Sequence, residues 1–279
     1  MGEVSVHVKE LKKFSVVKKG REGVGMTFGL SAMSEVAFAN SIAFAIIAAA
    51  ILLLIIYVWF SFKRPHPVLR TSLFKFRTFR ISTLANFFAR LGFGGIPFLI
   101  PLLLQLGLGY TSQTAGLLLI PTAVGVFIAK PCSIYLLHRL GYRGVLICNT
   151  ILLALSIWSF ILINTGTAWP VTIVCIFFYG FFVSMQFSVT NSLSYAEVSD
   201  DDLSSATSIL ATMQQLTMSF GVALSALLLR YFSPHWDASV VLDVVVFHRV
   251  FLVLGIIVLL ILVFLMQLKR EDGQQMIKT

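Results

Sequence analysis

Charge is scarce in this chain, and acid scarcer still. Of its 279 residues only 12% are charged, with 12 acidic side chains against 21 Lys and Arg. A soluble domain carries about 25% charged residues, so an ordinary water-facing surface is excluded. Cysteine is also sparse. Cys132, Cys148 and Cys175 stand singly in apolar stretches without CxxC or CxxxH spacing, which suggests neither a disulfide framework nor a metal site and leaves them as small apolar packing groups. No P-loop, GxSxG, HExxH or GxGxxG motif stands in a supporting strand and helix context, so no enzyme, no catalytic residue and no cofactor are expected. The first twenty residues are basic but lack an apolar core followed by a small-residue cleavage site, and they do not read as a secretory signal.

Apolar residues are abundant, at 58% without glycine. They fall in seven runs: 40–62, 81–104, 114–137, 145–163, 168–194, 205–229 and 246–268. Each is long enough to cross a hydrocarbon core of about 30 Å at a rise of about 1.5 Å per residue. Helices satisfy their own backbone in lipid, and a β-barrel would alternate where these runs do not. The expected fold is an all-α membrane protein of about seven transmembrane helices, with the lipid bilayer as its first partner. The net charge of +9 does not redirect this toward nucleic acid, because the basic residues cluster beside apolar runs rather than on an aromatic-interleaved soluble face.

The loops set an orientation. Lys63, Arg64, Arg70, Lys75, Arg77 and Arg80 follow the first run, Arg139 and Arg143 follow the third, and Lys269, Arg270 and Lys278 end the chain, whereas the 105–113 and 164–167 connectors hold no basic residue. The basic loops and the C-terminus are expected in the cytoplasm. Seven crossings would then place the N-terminus outside, against its own Lys9, Lys12, Lys13, Lys18, Lys19 and Arg21. Residues 24–38 are weakly apolar, and two readings stand side by side: half of a disrupted eighth helix in a damaged or truncated beginning, or a poor short span behind a basic surface arm.

Four stretches carry a resemblance when taken in order: KRPHPVLRTSLFKFRTF at 63–79, NFFARLGFGGIPFLIPLLLQLGLGYTSQTAGLLLIP at 86–121, AKPCSIYLLHRLGYRGVL at 129–146 and MQQLTMSFGVALSALLL at 213–229. About three quarters of the chain resembles the C-terminal half of the fourteen-helix drug:proton antiporters of the major facilitator superfamily, the EmrB/QacA type. That resemblance implies two six-helix bundles, joined by two further helices, around a cavity of alternating access. Residues 81–279 would form the C-terminal six-helix bundle, 39–80 a linking helix with its basic cytoplasmic connector, and 1–38 a basic segment where a disrupted linking helix stands. The implied function is multidrug efflux by proton antiport across the bacterial inner membrane, acting on lipophilic small molecules. The chain would be an incomplete half awaiting a missing N-terminal six-helix bundle. The rivals are a seven-helix receptor or sensor that does not transport, and an inert truncated remnant. All 12 acids lie outside the seven run cores, so no buried acid is left to relay a proton.

Candidate site residues follow from polar side chains at membrane depth. Arg90 lies nine positions into the second run, and Ser82, Asn86 and Arg90 share one helix face at i, i+4 and i+8. An arginine at that depth costs at least about 2.5 kcal/mol on insertion scales. It therefore turns inward, either as a cavity cation that holds an anionic group or as a tie to helix carbonyls. Gln214 and Gln215 on the sixth run, among Ser208, Thr212 and Ser219, and Gln186 and Asn191 on the fifth, read as cavity lining or as interhelical glue. Gly92, Gly94, Gly95, Pro97 and Pro101 predict a broken second run. Arg139, Gly141 and Arg143 in HRLGYRG look like a degenerate form of the basic turn of facilitator proteins, lacking its signature acid. They could pair with Asp200 and Asp201 as a cytoplasmic gate, or stand as solvated loop charges. His248 and Arg249, at the start of the last run, read as structural.

Overall fold

A computed structural model describes residues 77–199, 202–233, 243–269 and 272. The expected helix at 40–62 and the basic segment 1–38 lie outside those residues. Among the described residues every element is helical: α1 (Arg77–Phe93), α2 (Ile96–Leu102), a π-helical turn (Leu103–Gly107), α3 (Ser112–Ser159), a short 3-10 turn (Phe160–Leu162), α4 (Trp169–Tyr195), α5 (Leu203–Phe232), α6 (Val244–Leu259) and α7 (Ile261–Leu265). Five stretches are long and apolar enough to cross a membrane.

One of the five crosses twice. The stretch Ser112–Leu162 has 51 residues, which at about 1.5 Å per residue far exceeds the ~30 Å of a bilayer core. Gly141 divides it, at φ 66° and ψ 171°, a left-handed region that glycine enters without a Cβ penalty. Hydrogen bonds to α4 show the reversal. Before Gly141, the Ser184 hydroxyl donates to the Val126 carbonyl (3.2 Å). After it, Tyr142 meets Ser192 (2.7 Å) and Asn149 donates to the Phe182 carbonyl (3.0 Å), so this arm runs antiparallel to α4. The sequence predicts a loop over 138–144. The structure replaces it with helix on both sides of a single glycine, and thereby delivers the two expected crossings.

The first described crossing, the second of the expected runs, is broken where its glycines and prolines predict. α1 stops at Phe93, and α2 starts after Gly95 with Pro97 in its first turn. Pro97 has no N–H to give to the Phe93 carbonyl four residues earlier, and an unpaired carbonyl is costly in lipid. The buried Tyr179 hydroxyl, from α4, donates to that carbonyl instead (3.2 Å). Tyr179→Phe is expected to cost about 1 kcal/mol or more, read as a lower melting midpoint in detergent. An unchanged midpoint would mean that the carbonyl finds another donor.

Small residues let the helices touch. A Cβ on Gly221 of α5 would lie 2.6 Å from the Arg90 carbonyl oxygen and 3.2 Å from Gly94 Cα, so these backbones meet without side chains between them. Gly255 of α6 gives the same room to the Trp158 indole, whose Nε1 donates to the Leu252 carbonyl (3.2 Å). The buried Phe160 ring packs against Tyr179 and Phe251, with ring centroids 5.7 and 5.1 Å away. Outward, Leu117, Phe127 and Ile134 of α3 stand exposed, the apolar exterior that lipid requires.

The remaining crossings keep close to their expected limits, with caps at two of them. The Asp243 side chain accepts from the Val245 N–H at the start of α6 (3.0 Å), and Thr111 accepts from the Thr114 N–H before α3 (3.3 Å). His248 contacts the Ile163 carbonyl (3.0 Å), the structural use expected of it. At the opposite edge, Arg77 at the start of α1 donates to the Gln267 carbonyl beyond α7 and lies 4.0 Å from the Asp272 carboxylate.

Candidate functional site

Four of the six proposed cavity residues meet. Arg90 is 6% exposed, and its Nε donates to Asn86 Oδ1 one turn back (3.4 Å). Asn86 Nδ2 donates to Asn191 Oδ1 on α4 (3.0 Å), and Gln214 Nε2 of α5 donates to the same oxygen (2.9 Å). Three helices are thus joined through one amide oxygen. The Arg90 guanidinium also lies over the Phe187 ring, 4.5 Å from its centroid, a cation–π contact.

Beside this network lies a cavity of about 10 Å³, room for about one water molecule. Thr83, Asn86 and Arg90 line it from α1, and Met213, Gln214 and Thr217 from α5. Their spacing on α1, at i, i+3 and i+7, is one helix face. Thr83 and Thr217 are additions of the structure. Thr83 was readable from its place on the Asn86–Arg90 stripe, but a threonine in a membrane helix is too common to single out alone.

Gln186 and Gln215 do not join. Gln186 is 1% exposed and accepts, at Oε1, from Asn149 Nδ2 (2.8 Å) and Thr150 Oγ1 (3.4 Å), so it binds α4 to the second arm of α3. Asn149, an amide inside an apolar run, was the signal for that second polar cluster. Gln215 is exposed: one residue beyond Gln214, it points about 100° away around the helix. The hydroxyls near it turn back into their own helix, Thr212 to the Ser208 carbonyl (2.8 Å) and Ser219 to the Gln215 carbonyl (3.1 Å).

The proposed gate is only partly described. Arg139 lies over the Tyr135 ring at 5.3 Å, Gly141 makes the reversal, and Arg143 is half-buried. Asp200 and Asp201 lie outside the described residues. Asp202 immediately precedes α5 without capping it, and its carboxylate accepts from the Ser199 hydroxyl (3.2 Å).

Comparison with known proteins agrees with this architecture of apolar helices. Residues 82–276 match the model of the Major Facilitator Superfamily. The chain belongs to that superfamily. As a superfamily member with crossings of this length and hydropathy, it is an integral membrane protein. Among its relatives, HsrA of Haemophilus influenzae, named for transport, is 32% identical over 255 residues, covering 91% of this chain and 55% of that protein. MdtD of Serratia proteamaculans, named for multidrug resistance, is 34% identical over 208 residues, covering 74% of this chain and 43% of its own length. MdtD of Pectobacterium carotovorum is 35% identical over 198 residues, 70% and 42% of the two chains. This chain spans about half the length of the curated relatives it matches. Superfamily members are transporters rather than enzymes, and none of these three relatives is named for a reaction.

Proposed function

We propose that this chain supplies one six-helix bundle, residues 81–279, of a drug-exporting transporter in the bacterial inner membrane, with 39–80 as its linking segment and its C-terminus in the cytoplasm. The observation that carries the reading is Arg90: buried at membrane depth, held by Asn86, and bordered by a cavity that Asn86 and Gln214 help to line while Asn191 ties the two together. The relatives named for transport and multidrug resistance support it. Asn86, Arg90, Asn191 and Gln214 line the substrate path. Gln186 supports α4 from behind, and Arg139, Gly141 and Arg143 with Asp200 and Asp201 form the cytoplasmic gate. The substrate is a lipophilic small molecule.

Export by this reading needs a second bundle. The α5 face that carries Ser204, Ser208, Thr212, Gln215 and Ser219 is exposed, and an amide such as Gln215 is not left against lipid. Proton antiport is the coupling we propose. Within the described helices no acid lies between the ends, since Glu197, Asp202, Asp243 and Asp272 all stand at helix termini or beyond, so the proton-carrying carboxylate belongs to the other bundle.

Efflux of a fluorescent drug from cells lacking their own exporters tests this, with the chain alone and coexpressed with a related N-terminal six-helix bundle. Export is expected from the pair and not from the chain alone. Export by the chain alone would overturn the need for a second bundle. No export from either, although both insert, would favour the receptor or remnant reading.

A further inference from the structure

Beside the Arg90 crevice two amide oxygens are in use: Asn191 Oδ1 takes Asn86 and Gln214, and Asn86 Oδ1 takes Arg90 Nε. Two of its buried donor groups are not. Arg90 Nη2 and Thr83 Oγ1 are buried without a partner, in residues 6% and 2% exposed, and both residues line the same cavity. Ser82 and Thr190 each donate to a carbonyl about one turn back, whereas Thr78 Oγ1 on α1 is unpartnered but does not line the cavity.

An unpartnered guanidinium N–H next to an unpartnered hydroxyl, on a buried positive charge, suits a group that accepts and carries negative charge. A cation there would meet Arg90 across a low-dielectric interior, and a neutral carbonyl would leave the charge uncompensated. No acid among the described residues lies within the helices to neutralise it. A cavity of about 10 Å³ admits one oxygen of such a group, about the size of the water it would replace. Apolar walls surround it, Phe87, Leu210 and Met213 in the cavity and the half-exposed Phe187 beneath the guanidinium.

We infer that this crevice recognises amphiphilic organic anions, seating a carboxylate or sulfonate oxygen on Arg90 Nη2 and Thr83 Oγ1 with the apolar body against Phe87 and Phe187. The inference rests on the cavity reading above and narrows it to a charge class.

The probes are 1-naphthoate, its methyl ester and 1-naphthylmethylammonium, which share one ring system and differ in charge; at neutral pH the carboxylate is ionised. Binding of each to the purified chain in nanodiscs of neutral phosphatidylcholine is measured by equilibrium dialysis. Naphthoate is expected to bind at least about tenfold tighter than the other two, a difference of about 1.4 kcal/mol. Arg90→Gln should erase that preference, Arg90→Lys keep part of it, and Thr83→Val weaken naphthoate several-fold in a protein that elutes as one sharp peak. Equal binding of all three probes, weakened by Asn191→Ala, would overturn the anion reading and leave the cavity standing. Naphthoate binding indifferent to both Arg90→Gln and Thr83→Val would also overturn it. Binding of none would remove cavity and anion together. Displacement of naphthoate by added anionic lipid, at lipid fractions that leave Arg90→Gln unaffected, would reassign the crevice to a lipid head group.

Discussion

Export by the assembled transporter is expected to fall about ten- to a hundredfold when Arg90 is replaced by alanine, with the amount of protein in the membrane unchanged or higher. The two halves of that result come from separate terms. A hydrogen bond to a charged group is worth about 1.5–3 kcal/mol, and every 1.4 kcal/mol is about tenfold in affinity. Removing an arginine from membrane depth, in contrast, relieves about 2.5–3.5 kcal/mol of insertion cost. A purely structural arginine would give another pattern: lower yield and a lower melting midpoint, with export per molecule preserved. Arg90→Lys should fall between, because it keeps the charge and loses the planar group that lies over Phe187. Unchanged export in Arg90→Ala would make the residue a helix tie only.

A valine at Gly221 is expected to damage the bundle severely. Its Cβ would press on the Arg90 carbonyl oxygen at 2.6 Å and on Gly94 Cα and C at 3.2 and 3.3 Å. All three are backbone atoms, which cannot swing aside as the tip of a side chain can. Overpacking typically costs about 1–3 kcal/mol, and here relief requires α1 and α5 to separate, which pulls Gln214 away from Asn191. Gly116→Val is the matched control, since nothing lies within 4 Å of a Cβ there. Size-exclusion elution and melting in detergent should show Gly221→Val aggregated or several degrees less stable and Gly116→Val unchanged. Equal behaviour of the two variants would sink the argument from close backbone approach.

The helices were readable in the sequence because lipid imposes a length and a composition, and both survive in one dimension. α4 was expected at 168–194 and runs Trp169–Tyr195; α5 was expected at 205–229 and runs Leu203–Phe232. The break in the first crossing was readable from Gly94, Gly95 and Pro97. Its remedy was not, because the donor to the stranded carbonyl, Tyr179, stands 86 residues away. The same limit divides the candidate site. Asn86 and Arg90 share a face through helical spacing alone, whereas sorting Gln214 from Gln215, or Asn191 from Gln186, depends on which neighbour each face of α4 or α5 meets. Periodicity identifies faces but leaves their partners open. The loop expected at 138–144 failed for a further reason: charged and glycine-rich sequence marks a reversal, yet one residue at positive φ suffices to make it.

Arg77 gives the bundle a topological property. By reaching the Gln267 carbonyl and the Asp272 carboxylate it brings the first described helix against the end of the last, so the described helices close into a ring whose two ends lie side by side. A ring of that kind can in principle be opened elsewhere and its old ends spliced, and neighbouring ends are what make such circular permutation tolerable in folded proteins. The 164–167 turn, short and largely exposed, is the natural place for the new cut. The order in which the helices follow one another along the chain is then separable from the order in which they pack.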